Sequence, residues 1–167
     1  AVNGFIPKGL PSFNEMKGYT YQPEKAKELV KSYIEETGNK NPSITISTNS
    51  QYLDLCEYIQ REVEKTGLNV NIDVMPPSTL RQTKVQGKLS IFRGSWVADY
   101  PDAENYLFIF HSKNFSPNGP NYTHYSSPEY DMLYETAIKI NDNLERRKLY
   151  QKMDSLVMAS AAVIPLY

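Results

Sequence analysis

Over residues 23–92 the chain alternates between helical and extended patterning, and that alternation narrows the fold more than any other feature. Pro23 suits the first position of a helix to about Thr37, where Gly38 stops it. Ile44 and Ile46 alternate with Thr45 and Ser47, which predicts a strand. Asn49 or Ser50 can cap a second helix with Leu55, Cys56, Ile59 and Val63 on its apolar face and Gly67 at its C-terminal stop. Val70, Ile72 and Val74 predict a second strand. Ser78 opens a short helix through Val85, Gly87 ends it, and residues 89–92 predict a third strand. This order predicts an α/β fold, a mostly parallel sheet flanked by helices with right-handed connections.

After Asp99 the texture changes. Asp102 can cap a helix through about His111, and a polar loop rich in Asn, Gly, Pro and Tyr follows over residues 112–126. Ser127-Pro128 is a cap and first turn for a helix to about Ile140, with Tyr130, Leu133, Tyr134 and Ala137 inward. Asn143 is expected to cap a last helix carrying Leu149, Met153 and Leu156 on one face. Gly4, Pro7, Gly9, Pro11 and Gly18 make residues 1–22 a loop segment, which leaves residues 23–167 as one α/β domain.

The segment at residues 93–106 carries the candidate site. It holds the only tryptophan, Trp96, with Arg93 on one side and Asp99 and Asp102 on the other. It follows directly on the third expected strand, and ligands of α/β sheets sit at the C-terminal mouths of strands. A carboxylate beside an indole suits an ammonium group, which is a chemistry of holding rather than of bond breaking. Helix capping accounts for Asp102 by itself. A turn accounts less well for Asp99, which lies between strand and cap. Arg93, near the end of an apolar strand, calls for a carboxylate from the protein or from a ligand.

Other chemistries find less support. A net charge of −1 offers no general attraction to nucleic acid or anionic membrane. No run is long and apolar enough to span a bilayer. The glycines from Gly4 to Gly9 have the spacing of a phosphate loop, but Leu10-Pro11 stands where Lys-Ser/Thr is required. His111 and His124 lack metal-ligand spacing, so no metal or other cofactor is expected. His124 is expected to be solvated or bonded to backbone. Cys56, on an apolar helix face, reads as an inert core thiol. A hydrolase or transferase using Cys56 or His124 stays open as an alternative, as does a module recognising a partner through the loop at 112–126. Glu35-Glu36 and Glu145-Arg146-Arg147-Lys148 read as solvated helix faces with local ion pairs.

The stretch Gly94-Ser95-Trp96-Val97-Ala98-Asp99-Tyr100-Pro101-Asp102 resembles the extracellular solute-binding proteins of ABC importers, in the class that takes oligopeptides, dipeptides and nickel. Gly4-Phe5-Ile6-Pro7, the run from Gly18-Tyr19 to Leu29, the run from Tyr125 to Tyr134 and the terminal Ile164-Pro165-Leu166-Tyr167 extend the likeness over nearly the whole chain. The resemblance implies a periplasmic-binding-protein type II-like lobe of a two-lobed protein that closes on its ligand. Residues 1–22 would be an inter-lobe segment, and the chain a piece of a longer protein with any export signal upstream. It implies a binding protein, not an enzyme, on the periplasmic or extracellular side of the envelope, with or without a lipid anchor. Its partners would be a peptide or other small solute and a membrane permease. Asp99 would pair with the ligand's α-ammonium and Arg93 with a ligand carboxylate. Trp96, Tyr100, Ser95 and Val97 would line the cavity. Pro76-Pro77 stands where some peptide binders carry a second wall tryptophan, which leaves a nickel chelate or another small solute as alternative cargo.

Overall fold

A computed structural model describes residues 4–15 and 19–166. Gly18 and Tyr167, read above as parts of motifs, lie outside the described residues. The chain divides into two compact units, Tyr21–Ser95 on the one hand and Ala1–Thr20 with Trp96–Tyr167 on the other.

The unit Tyr21–Ser95 carries the α/β alternation: α1 (Pro23–Thr37), β1 (Ser43–Thr48), α2 (Leu53–Glu64), β2 (Asn69–Val74), α3 (Pro77–Val85) and β3 (Ile91–Phe92). Pro23 opens α1, and Gly38, at φ +71°, closes it by donating its N–H to the Ile34 carbonyl. The sheet is parallel in the order β2-β1-β3. Its register pairs Ile44 with Val70 and Ile46 with Ile72, so apolar residues of neighbouring strands share one face. On that face Ile46, Cys56 and Val70 are buried, with Ile44, Ile59, Val63 and Ile72 packed around them. Asn49 caps a single 3-10 turn, Ser50–Tyr52, rather than α2 itself. The third strand is shorter than its composition predicts. Gly87 N–H bonds to Lys84 O and Lys88 N–H to Thr83 O, which closes α3 in a turn; Leu89 and Ser90 then precede the strand instead of opening it.

The other unit contains α4 (Glu104–Leu107), α5 (Pro128–Ala137) and α6 (Asn143–Ala159). The helix expected from Asp102 to His111 stops early and continues as the 3-10 turn Phe108–Phe110. Side chains take the carbonyls a longer helix would use: Tyr130 Oη donates to Leu107 O (2.7 Å) and Asn114 Nδ2 to Phe108 O (2.7 Å). Ser127 caps α5 as expected, accepting the Tyr130 N–H. Asp142, not Asn143, caps α6; its carboxylate accepts the Leu144 and Glu145 N–H groups, which hold its pKa below the usual range. Ile6, Leu107, Phe110, Tyr130, Met153 and Val157 form the centre of the core.

Ile6 enters that core because residues 4–15 pack on this unit. These residues group with the unit that holds Trp96 onward. The tie is Asp154, 1% exposed, whose carboxylate accepts Phe5 N–H at 2.7 Å and Ile6 N–H at 3.5 Å. Burial raises the Asp154 pKa, and the two N–H groups offset this only in part. The folded chain thus holds the Asp154 proton more tightly than the unfolded chain. The stability this supplies is fully present below the unfolded carboxylate value and is lost as pH rises through the raised folded value. Asp154→Asn, uncharged throughout, should remove the dependence. Thermal unfolding should show the wild-type melting temperature falling relative to the variant as pH rises from the acid range to neutrality; a constant offset would contradict this.

Candidate functional site

The expected ligand residues straddle the division of the chain. Arg93 and Ser95 close one unit; Trp96, Val97, Asp99 and Tyr100 open the main part of the other.

In Tyr21–Ser95, the Arg93 N–H donates to Ser47 O at 2.9 Å, which continues the pairing of β3 with β1. The half-buried guanidinium lies flat on Tyr52, with Cζ 3.3 Å from the ring centroid, and Nη1 reaches Ser95 Oγ at 3.4 Å. An aromatic face helps to stabilise this cation. Tyr52 belongs to the 3-10 turn that follows β1, the strand beside β3, so both residues sit at the C-terminal ends of neighbouring strands. Pro76 and Pro77 open α3, Pro77 as its first residue, which explains them without a ligand.

In Trp96–Tyr167, the segment before α4 is built around Asn105. Its side chain is buried, and Oδ1 accepts both the Trp96 indole N–H (3.0 Å) and the Asp99 backbone N–H (3.4 Å). The Trp96 ring also meets Phe108 edge-on at 5.4 Å. Asp102 accepts the Glu104 N–H (2.9 Å) on Oδ1 and pairs with Arg146 (3.2 Å) through Oδ2, but the N-cap of α4 is Ala103 rather than Asp102 as expected. Arg146 is thus tied to a distant loop as well as to Asn143 Oδ1 (3.4 Å) on its own helix, which adds a long-range partner to the local pairs expected of this cluster. The Tyr100 and Tyr134 hydroxyls both donate to Glu104, and the pKa of each phenol is raised: Tyr100 chiefly by that bond, Tyr134 chiefly by burial.

What this scaffold offers to solvent is clear. Val97 is 83% exposed and Tyr100 47%, while Trp96 is half-buried. Asp99 is exposed, and among the described residues its carboxylate has no hydrogen-bond or ion-pair partner. A fixed backbone thus carries a free carboxylate beside aromatic and aliphatic surface, an arrangement able to hold a cation. Asn105, Glu104 and Tyr52 were not anticipated. For Asn105 the usable signal is an amide in the first turn of a short helix, close in sequence to an indole that needs an acceptor.

The alternative chemistries lose ground. Cys56 is 1% exposed within an apolar cluster. His124 is exposed, as a solvated histidine would be; it also bonds through Nε2 to Ser116 Oγ (2.9 Å) and stacks on Phe115. His111 is buried; its Nδ1 accepts the Lys113 N–H, and its Nε2 lies 3.7 Å from Glu135. Among the described residues no group of three or more His, Cys, Asp or Glu side chains is arranged to hold a metal ion. No helix among them is long and apolar enough to cross a membrane.

A family model described as bacterial extracellular solute-binding proteins, family 5 middle, matches residues 1–118. The periplasmic oligopeptide-binding protein OppA of Salmonella typhimurium is 26% identical over 159 residues, 92% of this chain and 28% of that protein. The glutathione-binding protein GsiB of Escherichia coli is 25% identical over 172 residues, 99% of this chain and 33% of that protein. The chain therefore spans about a third or less of the length of these relatives. Among solved structures, the periplasmic binding protein DppA of Helicobacter pylori in complex with the peptide STSA superposes with a TM-score of 0.86 at 26% identity, over 98% of this chain and 32% of that one.

The burial of Cys56 makes a direct prediction. A thiol-specific disulfide reagent should leave the native chain unmodified and label it stoichiometrically once denatured. Rapid labelling of the native chain would restore a reactive thiol.

Proposed function

This chain belongs to the bacterial extracellular solute-binding proteins of family 5, and from that premise we propose that it is a ligand-gripping part of an oligopeptide-capturing protein serving an ABC importer. In this reading residues 23–167 supply a ligand-binding lobe and residues 1–22 join it to the rest of the protein. Asp99 takes the peptide's α-ammonium, Arg93 a peptide carboxylate, and Trp96, Val97, Tyr100 and Ser95 line the wall. The protein works on the outer side of the cytoplasmic membrane and hands its cargo to a permease.

One observation carries the reading. Asp99 is an exposed carboxylate without a side-chain partner among the described residues, on a segment held at Trp96, Tyr100 and Asp102. A side chain with no intramolecular task, on a backbone held for it, is what recognition of a shared ligand charge requires. Every peptide with a free amino terminus carries that charge whatever its sequence, so a grip on it permits broad cargo. The likeness to a structure described as holding a four-residue peptide supports the same class of ligand. The glutathione-binding relative, matched at nearly the same identity, favours as second reading a small peptide-like solute that also bears an ammonium.

Asp99→Asn keeps the shape of the side chain and removes its charge. In the full-length protein it should weaken binding of trialanine by roughly 30-fold or more, about 2 kcal/mol, as measured by titration calorimetry. Unchanged affinity would remove Asp99 as the anchor.

A further inference from the structure

Asp99 has no side-chain partner to aim it, so its direction depends on its backbone. The Asn105 amide oxygen holds that backbone through the Asp99 N–H, and with the same atom it holds the Trp96 indole N–H. One side chain, 2% exposed, therefore touches two of the expected ligand residues while facing no solvent of its own. An amide so buried at the start of a helix contributes little to helix formation. Its acceptor capacity is spent on the loop.

We propose that Asn105 is the positioning residue of the ammonium site, setting the Asp99 carboxylate and the Trp96 wall in one fixed relation. The inference rests on the reading of Asp99 as the anchor. Without the Asn105 oxygen, the Asp99 N–H and the indole lose their common acceptor. The carboxylate then samples orientations, and a free amino terminus gains less from meeting it. The effect is on discrimination and not merely on affinity.

The test uses the full-length protein and two probes, trialanine and N-acetyl-trialanine, titrated calorimetrically with melting temperature followed in parallel. Wild type should prefer the free amino terminus by roughly 30-fold. Asn105→Ala should reduce that preference to about threefold or less while the protein still melts cooperatively. Asn105→Asp keeps an acceptor of the same shape and should retain most of the preference. The double variant Asn105→Asp with Asp99→Asn should lose it, which shows that the restored charge is not itself the binder. If Asn105→Ala does not fold, Asn105→Ser carries the same expectation. Equal weakening for both probes, with the preference intact, would make Asn105 a merely structural residue and overturn the proposal. A wild-type preference near one would instead overturn the ammonium reading, and the positioning role with it.

Discussion

Two donors share one acceptor at the heart of the 96–105 segment. The indole N–H of Trp96 and the backbone N–H of Asp99 both end on Asn105 Oδ1. Leaving such donors unsatisfied costs roughly 1–3 kcal/mol each where water is excluded, and less in this half-buried setting. Around that oxygen the remaining ties follow: Asp102 accepts the Glu104 N–H and pairs with Arg146, and Glu104 receives two tyrosine hydroxyls. All of them restrain the segment that presents Asp99, and none engages the Asp99 carboxylate.

Arg93 illustrates a different solution. A guanidinium can be satisfied by a carboxylate, but it is also weakly hydrated and stacks well on aromatic faces. Here the Tyr52 ring supplies the face and the Ser95 hydroxyl an acceptor. Such a cation stays oriented with its charge not neutralised by that contact, as recognition of an anionic group would require. The Asp99 backbone is held by a neutral amide, and the Arg93 side chain rests on a neutral ring and hydroxyl among its contacts.

Features governed by neighbouring residues were legible in advance. Pro23 and Gly38 bound α1, Ser127-Pro128 opens α5, and alternation marks β1 and β2. Errors arose where a tertiary partner or an adjacent equivalent residue decided the outcome. Asp142 and Asn143 are both good caps, and only the backbone geometry at Asp142 separates them. The helix after Asp102 is cut short by Tyr130 and Asn114, which reach its carbonyls from later in the chain. The third strand pairs only from Ile91, after Leu89 and Ser90. Within the site, Asp99 and Trp96 stand out by type and order. Tyr52 stays hidden because its role depends on strand adjacency, which no linear pattern displays. Asn105 stays hidden because a polar residue near a helix start has an ordinary explanation.

A crystal structure of the full-length protein with trialanine bound is the most direct measurement. We expect the peptide's terminal nitrogen at about 2.7–2.9 Å from an Asp99 carboxylate oxygen, the range of a charge-assisted hydrogen bond, with the Trp96 indole still on Asn105. A peptide whose amino terminus meets a different group, with Asp99 turned to solvent, would contradict the assignment.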